Sequence, residues 1–388
     1  MASNITISDS IKYIGVDDRD IDLFESQYVV PNGISYNSYV ILDDKIAVMD
    51  TVDRRKGDEW LHNLEEALDG RKPDYLVTLH MEADHASIIA EAMTRYPEMK
   101  IVGNAKTFAM TAQFFGSDYA DRRVVVCEGD TLCLGSHMLQ FVMAPMVHWP
   151  EVMVAYEQSE KILFSADGFG KFGALDADED WACEARRYYF NIVGKYGANV
   201  QALLKKAAAL DIAMICPLHG PILKENLAYY IGKYDTWSSY APEDKGIFIA
   251  FGSIHGNTAA AAHRLAEVLR EKGAEKVSVC DLARDDMAEA VEDAFRYDRM
   301  VLACATYDGG LFPAVETFLC RLKSKNYQRR TVGLVENGTW GPVAGRIMRE
   351  KLEAMKDVRI AEPVVTIRSA MNADTEAKFA ELADALLA

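Results

Sequence analysis

Nowhere does this 388-residue chain hold an apolar run of the ~18 residues that a membrane helix needs, and its N-terminal MASNITISDS lacks a signal-peptide apolar stretch. A cytoplasmic protein without a membrane partner is therefore expected. Basic charge is also scarce. Lys and Arg number 42 against 59 Asp and Glu, a formal charge of −17, which argues against nucleic acid and anionic lipid as partners. The seven cysteines (Cys127, Cys133, Cys183, Cys216, Cys280, Cys304, Cys320) are odd in number, and no two form a C-x-x-C. That excludes a Cys-ligated iron module and fits small buried thiols in a reducing compartment. No internal repeat or low-complexity tract is visible. Half the residues are apolar, enough for a sizeable core. At roughly 100–200 residues per domain, the length suggests two domains.

One boundary stands out. The polar, proline-bearing stretch Trp237–Asp244 separates differently patterned halves, so domains at residues 1–243 and 244–388 are expected. In the first half, short β-branched runs such as Tyr39–Leu42, Ile46–Asp50, Tyr75–Leu79, Met138–Met143, Met153–Tyr156, Lys161–Ser165 and Ile212–Cys216 read as strands. Asp58–Ala67, Ala86–Arg95, Ala105–Phe114 and Asn199–Ala209 read as helices, which suggests sheets with helices packed outside. The second half alternates cleanly: apolar runs at Gly246–Phe251, Lys276–Asp281, Arg299–Ala303, Thr331–Val335 and Arg359–Val364 are separated by amphipathic segments. Five strands alternating with helices imply an open parallel sheet that binds ligands beyond its carboxyl ends. Lys323, Lys325, Arg329 and Arg330 read as a solvated basic surface.

The densest chemistry lies in Leu79-His80-Met81-Glu82-Ala83-Asp84-His85, directly after a strand. An extended backbone points alternate side chains one way, so His80, Glu82 and Asp84 can share a pocket, with His85 entering as the chain turns. His148, Asp167 and His219 each follow a later strand. A single core histidine is usually a hydrogen-bonded structural residue; seven such groups just past strand ends are a site. They are too many for one tetrahedral zinc and suit two metals sharing a carboxylate. Three hard oxygen donors and no sulfur favour iron or manganese, with zinc still possible.

Three loops mark the second half. Ser253-Ile254-His255-Gly256-Asn257-Thr258 opens a helix with small, hydroxyl-bearing residues, as a phosphate site requires, yet it is neither a P-loop nor a G-x-G-x-x-G. Thr306-Tyr307-Asp308-Gly309-Gly310 and Glu336-Asn337-Gly338-Thr339-Trp340 combine glycine with an aromatic that can stack on a flat ring.

These residues resemble a known family. H-x-E-x-D-H with a later His, Asp and His is similar to the metallo-β-lactamase-like domain of flavodiiron proteins, whose hydrolytic relatives carry H-x-H-x-D-H; the glutamate here is Glu82. The three loops resemble flavodoxin, with FMN phosphate at Ser253–Thr258 and isoalloxazine between the other two. The resemblance implies an αββα sandwich followed by a flavodoxin-like five-stranded parallel sheet. It implies one iron on His80, Glu82 and His148, a second on Asp84, His85 and His219, and Asp167 as the bridge. It also implies reduction of dioxygen to water or of nitric oxide to nitrous oxide, with electrons relayed through FMN. The implied donor is external, such as rubredoxin or a reduced deazaflavin, and the implied assembly is a head-to-tail homodimer or a dimer of dimers. The stretch from Asp167 to His219 is shorter than in better-known members; of Tyr188, Tyr189 and Tyr196 within it, Tyr196 is the candidate to approach bound oxidant. Two other functions compete: a dizinc hydrolase with a passenger flavodoxin domain, and a non-enzymatic electron carrier.

Overall fold

The structure is a computed structural model that describes residues 5–388. It divides into two compact units. One runs to Tyr188 and resumes at Ala198–Asp235; the other comprises Tyr189–Gly197 and Thr236–Ala388.

The first unit is built on two sheets. Six strands lie in the order Ile11–Tyr13, Tyr39–Ile41, Ala47–Met49, Tyr75–Val77, Lys100–Gly103 and Arg123–Val125. Five lie in the order Thr131–Cys133, Met138–Met143, Met153–Glu157, Ile162–Phe164 and Met214–Cys216. The sheets meet where the Tyr39 ring packs 5.4 Å from Phe164 and its hydroxyl donates to the Pro217 carbonyl at 2.6 Å. Every residue of Tyr39–Ile41 and Ala47–Met49 is buried, which requires cover on the outer face as well. Helix Gly57–Leu68 supplies it through Trp60, Leu61, Leu64 and Leu68, and Trp60 Nε1 donates to Ser38 Oγ at 3.0 Å. The expected sandwich of sheets with helices outside is therefore present.

The second unit has five parallel strands, ordered Val277–Asp281, Asp244–Gly252, Tyr297–Tyr307, Thr331–Asn337 and Arg359–Ile367; the two-residue strand Gly310–Leu311 pairs with the end of the third. Strand period sorts the helices. Ile247, Ile249, Phe251, Val301 and Val335 share a core with helices Asn257–Glu271 and Ala373–Leu387. On the opposite face Phe248 meets Phe318 of helix Pro313–Ser324, and Glu336 accepts from Gly345 N at 2.8 Å at the start of helix Ala344–Glu353. The order reverses between the neighbouring strands Asp244–Gly252 and Tyr297–Tyr307, and such a switch point opens a crevice at the carboxyl ends.

Three expectations change. Helix Leu227–Ser238 runs into the stretch expected as linker, and Trp237 within it is buried, its Nε1 donating to Glu243 Oε2 at 2.7 Å. The basic cluster is not wholly solvated. Arg330 is buried and donates to the carbonyls of Tyr297 at 2.7 Å, Tyr240 at 2.8 Å and Phe295, while Lys325 Nζ donates to the Asn191 carbonyl. A guanidinium has five donors, enough to satisfy several loop carbonyls at once. Of the cysteines, Cys216, Cys280 and Cys304 are buried, but Cys127, Cys133 and Cys320 are exposed.

Candidate functional site

Strand ends of the first unit deliver its cluster. His80 and Glu82 leave strand Tyr75–Val77, and Asp84 and His85 sit on the single-turn helix Ala83–Ala86. His148 lies in the turn between Met138–Met143 and Met153–Glu157, Asp167 follows Ile162–Phe164, and His219 follows Met214–Cys216. All seven side chains converge. His80, Glu82, His148 and Asp167 form one group, Asp84, His85 and His219 another, and donor atoms within each group lie within 4.8 Å of one another.

Asp167 divides between the groups. Its Oδ2 lies 3.1 Å from His148 Nε2 and 3.5 Å from His80 Nε2, and its Oδ1 lies 3.2 Å from His85 Nε2 and 3.9 Å from His219 Nε2. Glu82 Oε2 lies 3.0 Å from His148 Nε2 and 3.3 Å from His80 Nε2; Asp84 Oδ2 lies 3.2 Å from His219 Nε2.

For two of the four rings the far side sets the tautomer. His80 Nδ1 donates to the buried carboxylate of Glu151 at 2.8 Å, and the same oxygen accepts from Met81 N at 2.8 Å. His219 Nδ1 donates to the Ser35 carbonyl at 2.7 Å. Their Nε2 lone pairs therefore point inward, and His219 Nε2 stands 3.1 Å from His85 Nε2. Lone pairs and carboxylate oxygens facing each other in a buried space require cations between them. Asp84 Oδ1, buried without a hydrogen-bond partner among the described residues, adds an unused donor. Three carboxylates with four imidazoles suit two divalent ions, and Glu151 balances the charge that remains.

Without metal, protons take the cations' part. Burial opposes the imidazolium of His148, but hydrogen bonds to Asp167 and Glu82 overcome it and push His148 up to about 9. Burial likewise opposes charge on His80 and His219, overcome at His80 chiefly by the charge of Asp167 and at His219 by the Asp84 hydrogen bond. Asp167 is held well below the usual carboxylate range, its burial outweighed by His80, His148 and His85. Asp50, behind His80, is pushed up to about 8 by burial, partly offset by the His80 and Leu79 N–H groups it accepts.

Aromatic rings wall the cluster: Phe24, Tyr36 and Tyr188 lie 5.5, 5.9 and 5.5 Å from the His219 ring, and Trp149 lies 5.4 Å from His80. Tyr188 is thus the tyrosine of its stretch that packs on a candidate ligand. Tyr196 is half-buried in the second unit, with Lys195 Nζ over its ring. Sequence reasoning missed Glu151, although it follows His148 by three residues, because only the folded turn brings it behind His80.

In the second unit the strand-end loops enclose a cavity of about 700 Å³, within the size range of cofactor pockets. Of the flavin candidates, Ser253, Ile254, His255, Asn257, Thr258, Thr306, Asp308, Gly309, Asn337, Gly338, Thr339 and Trp340 line it. Gly256, Tyr307, Gly310 and Glu336 do not. Gly256 shapes the loop instead: at φ +93° it opens helix Asn257–Glu271, with its N–H on Ser253 Oγ at 3.1 Å. Tyr307 stands edge-on to Phe312, and Glu336 is turned to Gly345 N and Thr366 Oγ1. Thr306 Oγ1 accepts from Val343 N and Ala344 N at 3.1 and 3.3 Å, joining two loops. Trp340 is 92% exposed. Side chains at Gly309 and Gly341 would meet no atom within 4 Å, so open space lies beside both loops. Helix N–H groups and hydroxyls suit a phosphate, and glycine edges suit a flat ring; the cavity fits FMN.

Residues 34–220 match the model of the ODP family beta lactamase, and residues 248–362 match that of the flavodoxin domain. The nitric oxide reductase of Moorella thermoacetica is 30% identical over 384 residues, covering 95% of this chain and 94% of that one. The rubredoxin oxygen:oxidoreductase of Desulfovibrio gigas superposes with a TM-score of 0.91 at 25% identity, over 98% of this chain and 97% of that one. The flavodiiron protein of Giardia intestinalis shares the fold, with a TM-score of 0.92 at 23% identity over 98% and 95%. Near-complete coverage by such relatives, with both domain models matched in order, shows that this chain belongs to the flavodiiron family.

Proposed function

We propose that the chain is an oxidoreductase that reduces dioxygen to water, nitric oxide to nitrous oxide, or both. Its non-haem diiron centre lies in residues 1–243, and FMN bound in residues 244–388 relays the electrons. The observation that carries this reading is the division of Asp167, one oxygen toward each of two groups of donors. His80, Glu82 and His148 would hold one iron, Asp84, His85 and His219 the other, and Asp167 both. The irons supply reducing equivalents to a bound oxidant, and FMN accepts and delivers electrons singly or in pairs.

The chain's own groups prepare that chemistry. Glu151 and the Ser35 carbonyl hold His80 and His219 in the tautomer that turns Nε2 inward. Phe24, Tyr36, Tyr188 and Trp149 exclude bulk water. Burial, then the charges of Asp167, Asp84 and Glu82, raise the Tyr188 phenol well above its usual value, so it stays an O–H donor beside His219. In the second unit the N-terminus of Asn257–Glu271 and the Ser253 and Thr258 hydroxyls would hold the phosphate of FMN, and the glycine-edged loops with Trp340 would hold its ring.

Glu82 in place of the hydrolases' histidine, together with the flavodoxin domain, speaks against the dizinc hydrolase. Rubredoxin is the donor we favour over a reduced deazaflavin, because the Desulfovibrio relative is named for it. Among the described residues no helix is long and apolar enough to cross a membrane, in keeping with a cytoplasmic enzyme. For the assembly we favour a head-to-tail homodimer, checked by activity recovered in mixed dimers of an iron-site and a flavin-site variant. The deciding test is anaerobic turnover of iron- and FMN-loaded protein with each oxidant in turn. Consumption of either supports the reading. Reduced flavin with neither oxidant consumed would leave an electron carrier.

A further inference from the structure

The flavin cavity has a wall that the three loops do not account for. Ser369 lies just past the last strand, Arg359–Ile367, and lines the cavity. It is not glycine, yet it adopts φ +70°, in a tight turn where Arg368 and Ala370 bridge. L side chains rarely adopt that conformation, so something outside the turn must hold it.

The holding contacts run to one loop. The Asn337 carboxamide, buried, donates from Nδ2 to the Ser369 carbonyl at 3.1 Å and accepts at Oδ1 from Ser369 N at 3.1 Å. Ser369 Oγ donates to Thr339 Oγ1 at 2.9 Å. Gly338 N donates to the Ile367 carbonyl at 3.0 Å. Three consecutive residues at the root of the Trp340 loop are thus bonded to the turn, while Trp340 itself stands free in solvent. Such reciprocal amide–backbone pairs are directional and fix position as well as distance.

We propose that the Ser369 turn is a fourth flavin-holding segment, acting on the isoalloxazine half of the site through the root of the Trp340 loop. This rests on the reading of the cavity as an FMN site. The phosphate half is served separately, at the opening of helix Asn257–Glu271, so the two halves can be weakened independently. Ser369 and Asn337 are positioning residues for the ring.

The test uses FMN and riboflavin, which lacks the phosphate, with dissociation constants read from quenching of flavin fluorescence on the full chain. Ser369→Gly suits the left-handed backbone and removes the hydroxymethyl group, and with it the bond to Thr339. Asn337→Asp keeps the acceptor for Ser369 N–H but sets an oxygen against the Ser369 carbonyl. Near-UV circular dichroism of the flavin-free variants checks the fold. Ser369→Gly should weaken both flavins by about fivefold and Asn337→Asp by about tenfold, each alike for the two ligands. Loss confined to FMN, or no loss for either flavin, would overturn the proposal. A wild-type chain that binds neither flavin would instead defeat the FMN reading on which it rests.

Discussion

The two candidate sites are made of different things. The first-unit cluster is side chain: seven ionisable groups, nearly all buried, and interchangeable with nothing. The flavin cavity is mostly loop, with glycines, hydroxyls and the carboxamides of Asn257 and Asn337, open enough for Trp340 to stand in water. A buried set of charges must be complete to be tolerable, because each unpaired member costs more than it contributes. A loop cradle degrades gradually, one hydrogen bond at a time. The first site should therefore fail abruptly and the second by degrees.

The largest effect should follow Asp167→Ala, which removes an oxygen from both groups at once. Iron should fall well below two per chain, and oxidant turnover should drop by on the order of a hundredfold or more, with FMN content unchanged. Two irons and full turnover in this variant would break the comparison at its root. Next comes Thr258→Glu, which sets a negative charge in the phosphate position. FMN retention should fall by at least about tenfold while metal analysis still returns two irons; lost iron would mean the sites are not independent. Glu151→Gln is subtler, since the amide oxygen still accepts from His80 and Met81 but the charge is gone. Metal affinity should drop by about tenfold, in the range typical of partners behind a ligand, with flavin affinity untouched. Chelator competition reads the difference, and equal affinity in variant and wild type would reduce Glu151 to packing.

The smallest effect is in pH. In metal-free protein His148 is raised to about 9 and Asp50 to about 8. A raised folded value contributes stability below the unfolded value and loses it as pH rises through the folded one. His148 thus contributes fully below about 6.5 and Asp50 below about 4, and both contributions are gone by about pH 9. Glu82 and Asp167, both lowered, act on the acid side, where their contribution is lost as pH falls. Calorimetry of the metal-free protein should show stability declining from pH 7 to 9.5. Metal should remove the part of the decline that comes from His148, because it displaces the imidazolium proton, so metal affinity should rise with pH. A metal-free profile no steeper than the loaded one would show that the buried charges are not coupled as the distances require.

That difference in material also decides what the sequence reveals. The seven donors were legible because histidine and carboxylate at H-x-E-x-D-H spacing after a strand have few other uses. Glu151 and Ser35 were not, since a glutamate and a backbone carbonyl become partners of a histidine only when turns fold behind it. Tyr196 and Tyr188 looked alike in sequence, and only packing sets Tyr188 against His219. The flavin loops were legible by their glycines and hydroxyls, but side-chain direction was not: Glu336 turns to Gly345 and Thr366, and Tyr307 to Phe312. Ser369 lay hidden at a strand end without a glycine to flag it. The five parallel strands of the second unit were found because each is five residues or longer. Leu23–Phe24 and Tyr28–Val29 have two residues each, too few to show any alternation.

The segment Tyr189–Gly197 belongs to the second unit although both flanking stretches belong to the first. Its anchorage there is specific: Phe190 stacks on Phe295 with centroids 4.3 Å apart, Asn191 Nδ2 donates to the Ala288 carbonyl at 3.1 Å, and the Tyr240 hydroxyl donates to the Gly194 carbonyl at 2.8 Å. The polypeptide therefore passes between units three times rather than once. Excising residues 244–388 as a cassette, or grafting another flavodoxin at that seam, would leave Phe295 and the Ala288 carbonyl facing a missing strip of chain. A transplantable module must carry the strip with it, stitched back by a short loop. Its modularity is that of an interleaved pair, and exchange between homologues should succeed only when all three crossings are moved together.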